Sequence, residues 1–255
     1  MKRAEGETAL GPADHARQDY YRDYWRAPEL AASPHLRWKT EATRDIVRAR
    51  AGRSVLDVGC GSGEVLASLR APGVRLCGVE MSAGAVEALR ARGIEASAVD
   101  LESGVLPFAD GEFEIVLCYD VLEHLFAPGR LLREILRVLR PEGIAAICVP
   151  NTLNLFNRFR FLAGEFVDIM DTSHHSEEMF SNHIRLFSKS LFERFVTANG
   201  CRVVERRYYF PERFSDPRFR LPSWLARWVT GPRLHERLPE AFALGFLYTC
   251  VRAQD

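Results

Sequence analysis

The sequence predicts an α/β fold built on a mostly parallel β-sheet, and three observations predict it. Val55-Leu56-Asp57-Val58 is a largely apolar run that leads straight into the turn Gly59-Cys60-Gly61-Ser62-Gly63, with a helix expected from about Glu64. Such a run suits a parallel strand covered on both faces. Short apolar segments then alternate with helical ones through five βα units, which implies parallel strands joined by right-handed crossovers. Finally, 255 residues with 47% hydrophobic content can bury a full core as one unit.

The elements follow in order. Residues 1–35 are polar and aromatic, with Tyr20, Tyr21, Tyr24 and Trp25 clustered in a short expected helix. A helix from about Trp38 to Arg50 precedes the first strand, and another runs from about Gly63 to Arg70. The second strand, Arg75–Val79, ends at Glu80, and a helix covers Ala83 to Arg92. The third strand, Ala96–Val99, ends at Asp100-Leu101; the fourth is Phe113–Tyr119. In the helix Arg130–Leu139, the residues Leu131, Ile135, Val138 and Leu139 recur at helical spacing. Pro141-Glu142-Gly143 is expected to break that helix and lead to a strand over Ile144–Val149. A helix Leu191–Asn199 and strands Arg202–Tyr209 and Gly245–Arg252 complete the chain.

Glycines at 59 and 61 let the main chain turn tightly and approach a ligand closely. Glu80 follows the turn by about 20 residues, the spacing of a ribose-binding carboxylate in a nucleotide-binding βαβ unit. Together they point to an adenosine-containing cofactor. A dinucleotide is disfavoured, because G-x-G-x-x-G requires glycine where this chain has Glu64. Asp57 would also repel a pyrophosphate, whereas it suits a cationic or zwitterionic ligand. A formal net charge of zero weighs against nucleic-acid backbones as substrate. No run approaches the ~18 apolar residues of a membrane span, and there is no secretory signal pattern. The six cysteines form no C-x-x-C pair, which favours buried free thiols in a reducing cytoplasm. Lysine occurs only at Lys2, Lys39 and Lys189, in a chain whose other basic residues are arginine.

Asp57-x-Gly59-x-Gly61-x-Gly63 resembles the first motif of the class I S-adenosylmethionine-dependent methyltransferases, and the ordered motifs over roughly residues 50–205 strengthen the resemblance. It implies a Rossmann-like, seven-stranded, mostly parallel sheet with helices on both faces and an antiparallel last strand. It also implies an N-terminal segment, 1–37, folding over the cofactor, and a methyltransferase domain, 38–255, with insertions at about 151–185 and 211–241. The cofactor would be S-adenosyl-L-methionine, leaving as S-adenosyl-L-homocysteine. Asp57 would lie near its amino group, with Gly59, Cys60 and Gly61 forming the turn beside it. Glu80 would take both ribose hydroxyls, and Met81 would pack on the adenine. Asp100 would accept from the adenine amino group with Leu101 nearby, and Asp120 would stand on the cofactor side. All these acids lie at the carboxyl ends of strands, where such sheets bind ligands.

Asp120-Val121-Leu122-Glu123-His124 resembles the x-V-L-E-H segment of small-molecule methyltransferases, including ubiquinone-pathway O-methyltransferases and a methionine-biosynthesis-associated group. His124 is the candidate general base, since an imidazole titrates near neutrality; alternatively, Glu123 and His124 form a local pair shaping the pocket floor. Relatives with E-x-x-E-H and a distant His bind a divalent ion, a set that Asp120, Glu123, His124 and His183 could imitate. Metal dependence stays undetermined, with a metal-free site preferred. Beyond Pro150-Asn151, the insertion carries His174, His175 and the segment Asn182-His183-Ile184-Arg185-Leu186-Phe187-Ser188. Asn151, His183 and Arg185 are the substrate-side candidates, and Ser188 is expected to cap the next helix. The arginine- and tryptophan-bearing stretch 211–241 reads as an amphipathic hairpin, a cap over an acidic acceptor, a homodimer surface or a membrane-adjacent stretch. The expectation is a methyltransferase for a small-molecule hydroxyl of a sugar or secondary metabolite. N- or C-methylation and a non-catalytic cofactor-binding module are the alternatives.

Overall fold

The computed structural model describes residues 33–164, 183–210 and 234–253. The tyrosine cluster at 20–25, the pair His174-His175 and the stretch 211–233 lie outside the described residues. Helix α1 (Pro34–Arg50) opens where Ser33 accepts the Leu36 N–H at 3.1 Å and Pro34 takes the first helical position. This Ser-Pro start signal places the helix four residues before the expected Trp38. Then follow β1 (Ser54–Val58), α2 (Glu64–Ser68), β2 (Arg75–Glu80), α3 (Ala83–Ala91), β3 (Glu95–Ala98) and β4 (Phe113–Tyr119). A 3₁₀ turn over Leu122–His124 leads to α4 (Pro128–Val138), β5 (Leu139–Pro150) and α5 (Leu155–Leu162). The chain closes with α6 (Lys189–Ala198), β6 (Cys201–Tyr209), the short helices α7 (Leu234–Arg237) and α8 (Pro239–Phe242), and β7 (Gly245–Arg252).

The seven strands form one sheet in the order β3-β2-β1-β4-β5-β7-β6. Strands β1 to β5 are parallel, and β7 inserts antiparallel between β5 and β6. The fold is therefore the expected Rossmann-like one. Alternate residues of the central strands serve opposite layers. Leu56, Val58, Val116 and Ile147 pack beneath Leu131 and Ile135 of α4 and Phe192 and Val196 of α6. Val55, Ile115, Leu117 and Ala146 pack against Ile46 of α1, Leu66 of α2 and Leu89 of α3. Helices thus cover both faces.

Pro141-Glu142-Gly143 does not separate helix from strand as expected. Leu139 already adopts extended geometry and pairs with Phe113, so β5 begins directly at the end of α4. The register then shifts between Phe113 and Ile115 while Arg140, Pro141 and Glu142 stay exposed. An irregular, solvent-facing stretch tolerates a proline that has no N–H for the ladder. All six cysteines are free thiols, five of them buried.

Candidate functional site

Strand order reverses direction at β1, which lies between β2 and β4. In open α/β sheets the ligand crevice lies outside the carboxyl ends of the strands at this point. Asp57 stands in the last turn of β1, Glu80 ends β2, Asp100 follows β3 and Asp120 follows β4. The first, second and fourth are drawn into one electrostatic group. Asp100 is exposed and accepts the Glu102 N–H at 2.9 Å, while Leu101 lies beside the turn at Gly59.

The turn uses its own amides internally. Gly59 and Cys60 donate to the Val79 carbonyl at 2.8 and 3.1 Å, Gly61 donates to Glu80 Oε2 at 2.9 Å, and Gly63 donates to the Cys60 carbonyl at 2.9 Å. Gly59 and Gly61 hold φ at +75° and +51° to do so. These four amides therefore offer no anion-binding cradle, and the surrounding side chains are acids. Glu80 Oε1 also accepts from Met81 and Ser82 at 2.8 and 3.2 Å. Burial raises its pKa, and the three N–H donors pull it back. Asp57 is fully enclosed; burial raises its pKa from 3.8 to about 7, partly offset by Lys39, while Glu80 adds to the rise. Burial, reinforced by Asp57 and Glu80, also keeps the Cys60 thiol neutral.

Asp120 adopts a left-handed φ of +55° at the end of β4, which turns its side chain back toward α1. Lys39 Nζ donates to its Oδ2 at 2.7 Å, and His35 Nδ1 lies 3.9 Å from the same oxygen. Burial would raise the pKa of Asp120, but Lys39 and His35 hold it down at about 2. Beside it, Tyr119 shares a 2.8 Å hydrogen bond with Thr43, fastening α1 to the strand end.

The turn beyond β4 builds a second group. Glu123 is completely buried and neither carboxylate oxygen has a hydrogen-bond partner among the described residues. His183 Nε2 lies 4.0 Å from Glu123 Oε1, and the His124 and His183 rings sit 4.8 Å apart. Ile184 and Arg185 donate their backbone N–H groups to the Glu123 carbonyl, both at 3.1 Å. The Arg185 guanidinium donates to the carbonyls of Leu125, at 2.8 Å, and Phe126. It thus straps the segment 183–188 onto the turn. Asn151 is similarly committed, donating to the carbonyls of Glu240 and Ala243 at 2.9 Å each. Ser188 caps α6 by accepting the Leu191 N–H at 3.2 Å. Of the substrate-side candidates, His183 is brought to His124, whereas Arg185 and Asn151 hold loops in place.

Residues 56–147 match the family described as "Methyltransferase domain". Over that stretch the chain is similar to methyltransferase domains. A probable S-adenosylmethionine-dependent methyltransferase of Mycolicibacterium smegmatis is 30% identical over 136 residues, 48% of this chain and 52% of the relative. The ubiquinone biosynthesis O-methyltransferase of Bordetella avium is 26% identical over 170 residues, 61% of this chain and 68% of that protein. A solved structure from Thermotoga maritima, described as an SAM-dependent methyltransferase and possible histamine N-methyltransferase, superposes with a TM-score of 0.61 at 18% identity. That superposition covers 93% of this chain and 99% of the other. The chain spans between 35% and 52% of the length of several curated relatives it matches.

The matched stretch contains the glycine turn, Glu80, Asp120 and the Glu123-His124 pair, but neither Lys39 nor His183. Lys39 escapes a motif search because it lies 18 residues before Asp57 on a separate helix. Its signal is compositional: a lysine where this chain otherwise uses arginine. The metal set considered from the sequence divides in space. Ligand atoms of Glu123, His124 and His183 lie within 4.8 Å of one another, whereas Asp120 groups with His35 and Cys148. The first trio, with its unpartnered carboxylate, is the set that a divalent ion would meet if one bound.

Proposed function

We propose that this chain transfers a methyl group from S-adenosyl-L-methionine to a small-molecule acceptor, with a hydroxyl of a sugar or secondary metabolite as the acceptor group. The observation that carries the reading is the glycine turn whose amides are used internally and which is ringed by Asp57, Glu80 and Asp120. Such a place favours a nucleoside with a cationic tail and disfavours a pyrophosphate. Gly59, Cys60 and Gly61 form the floor, and Glu80 Oε2, which accepts a single N–H, keeps one acceptor site for a ribose hydroxyl. Met81, Asp100 and Leu101 edge the adenine side, and Asp57 and Asp120 face the amino-acid end.

The sulfonium supplies an already activated methyl group, so the protein's task is to align the acceptor and keep water out. His124 takes the proton from the acceptor hydroxyl. The neighbouring His183 ring, 4.8 Å away, packs against that imidazole. Arg185 and Asn151 hold the surrounding loops that frame the acceptor. The name of the Bordetella relative, an O-methyltransferase, supports oxygen as the methylated atom.

The test is incubation with methyl-labelled donor and a metabolite extract, followed by mass spectrometry of labelled products. Label on a hydroxyl oxygen supports the reading; label on nitrogen or carbon moves the acceptor class, and donor binding without any transfer leaves a binding module. For His124→Ala, turnover should fall by a factor of about 10² or more, with donor affinity nearly unchanged. Equal losses in both would make His124 structural. Activity should survive a chelator. Loss that is restored by magnesium, manganese or zinc would reassign Glu123, His124 and His183 as metal ligands.

A further inference from the structure

The turn that follows β3 reaches the segment that follows His124. Asp100-Leu101-Glu102-Ser103 closes on itself: Glu102 donates its N–H to Asp100 Oδ1 at 2.9 Å, and Ser103 donates its N–H and its hydroxyl to the Asp100 carbonyl at 3.1 and 2.6 Å. Leu101 of this compact turn lies beside Gly59, while the Glu102 side chain crosses to the chain beyond β4. Glu102 Oε2 accepts the Phe126 N–H at 3.0 Å, and Oε1 accepts the Ala127 N–H at 3.1 Å. Arg185 grips the same segment by its carbonyls, at Leu125 and Phe126. Residues 125–127 are thus held between an acid and a base drawn from two distant parts of the chain. They follow His124 directly and lead into α4, whose N-cap, Ala127, has no polar side chain. A carboxylate there meets the positive end of the α4 dipole. Capping alone does not call for a residue 25 positions away, since a serine or aspartate at 127 would do it locally.

We propose that Glu102 is a positioning residue that carries donor occupancy to the acceptor side: a nucleoside seated beside Asp100 and Leu101 fixes the turn 100–103, and Glu102 passes this through Phe126 and Ala127 to His124. This assignment rests on the donor reading above. It explains why both oxygens of one carboxylate are spent on the backbone of a single short segment. It also orders the reaction. With the donor bound, the latch sets the proposed base in place, so an acceptor that arrives second meets an aligned imidazole. Linkage makes the effect reciprocal, so a held segment 125–127 also favours the turn that meets the nucleoside.

Histidine ring signals in NMR spectra of the full chain test it, with the His124 signal identified by its loss in His124→Asn. Adenosine, which carries neither sulfur nor an amino-acid tail, should displace the wild-type His124 signal, and S-adenosylhomocysteine should do the same. Glu102→Ala should still bind S-adenosylhomocysteine but lose the adenosine-induced displacement. Combining it with Ala127→Ser gives α4 a local cap. That double variant should recover the midpoint of urea unfolding without recovering the displacement. A displacement that survives in Glu102→Ala, or returns with the serine cap, would overturn the assignment and leave Glu102 as a remote cap. If Glu102→Ala does not fold, the capped double variant carries the comparison. A wild-type His124 signal left unmoved by bound adenosine overturns the proposal without any variant. A wild type that binds neither nucleoside refutes the donor reading itself, a result distinguishable from the others.

Discussion

Burial lifts Asp57 from 3.8 to about 7 even though Lys39 pulls the other way. Between about pH 4 and 7, the folded chain holds a proton that the unfolded chain has lost, so stability falls as pH rises through that window. Asp57→Asn should therefore gain stability relative to the wild type as pH rises from about 4 to 7, with the gain levelling above 7. Urea unfolding at several pH values checks this. The cationic end of the donor favours ionised Asp57, so wild-type donor affinity should rise through the same range and binding should release a proton. Titrations in buffers of different ionisation enthalpy read that proton directly. A second prediction concerns Glu80, which holds the turn through Gly61, Met81 and Ser82. Glu80→Ala should weaken donor binding by about 10- to 150-fold, the range of charged hydrogen bonds. Unchanged affinity would remove Glu80 from the site. The acids and glycines were legible in the sequence because a strand end fixes where each residue points. Lys39 was not, since nothing in a helical pattern tells which polar residue of α1 crosses to another element. For the same reason Arg185 and Asn151 read as ligands in the sequence, whereas their side chains meet backbone carbonyls.

At the scale of elements, Gly63 joins the turn to the helix layer. Its φ is +75°, and a methyl group there would lie 2.0 Å from Leu89 Cδ2 of α3. The third glycine of the motif is thus required for α2 to pack against α3, apart from any ligand. Gly63→Ala should destabilise the fold by about 2–4 kcal/mol, adding left-handed strain to overpacking. Adding Leu89→Ala should remove the steric part but not the backbone part. A midpoint of urea unfolding that does not move would contradict the packing. Most strands were legible from their apolar runs, α4 from its helical spacing and the start of α6 from its Ser188 cap, whereas the Ser33 cap of α1 was not. The join of α4 and β5 was misjudged because Pro-Glu-Gly is punctuation in a helix but tolerable at an irregular, exposed strand start. The 3₁₀ turn carrying Glu123 and His124 was legible only as a motif, because three residues hold no periodicity.

On the function proposed above, most of the donor site falls within the matched stretch and the acceptor side beyond it. The family match covers 56–147, whereas β6, β7 and the segment bearing His183 lie beyond it. Donor chemistry is shared across many acceptors and leaves a readable motif; acceptor selection is built from loops whose side chains meet only in three dimensions. Among the described residues no helix is long and apolar enough to cross a membrane. Because α1, β1, β2 and β4 all contribute to the same place, donor binding should stabilise the entire fold. At a donor concentration 100 times Kd, linkage gives about 2.7 kcal/mol, a rise in Tm of about 5–10 °C for a chain of this size. Isothermal calorimetry of the wild-type chain with S-adenosylmethionine, its demethylated product and NAD addresses the account most directly. Micromolar binding of the first two, with none of the third, is the predicted result. Silence toward both sulfur nucleosides, or tight binding of the pyrophosphate ligand in their place, would contradict it.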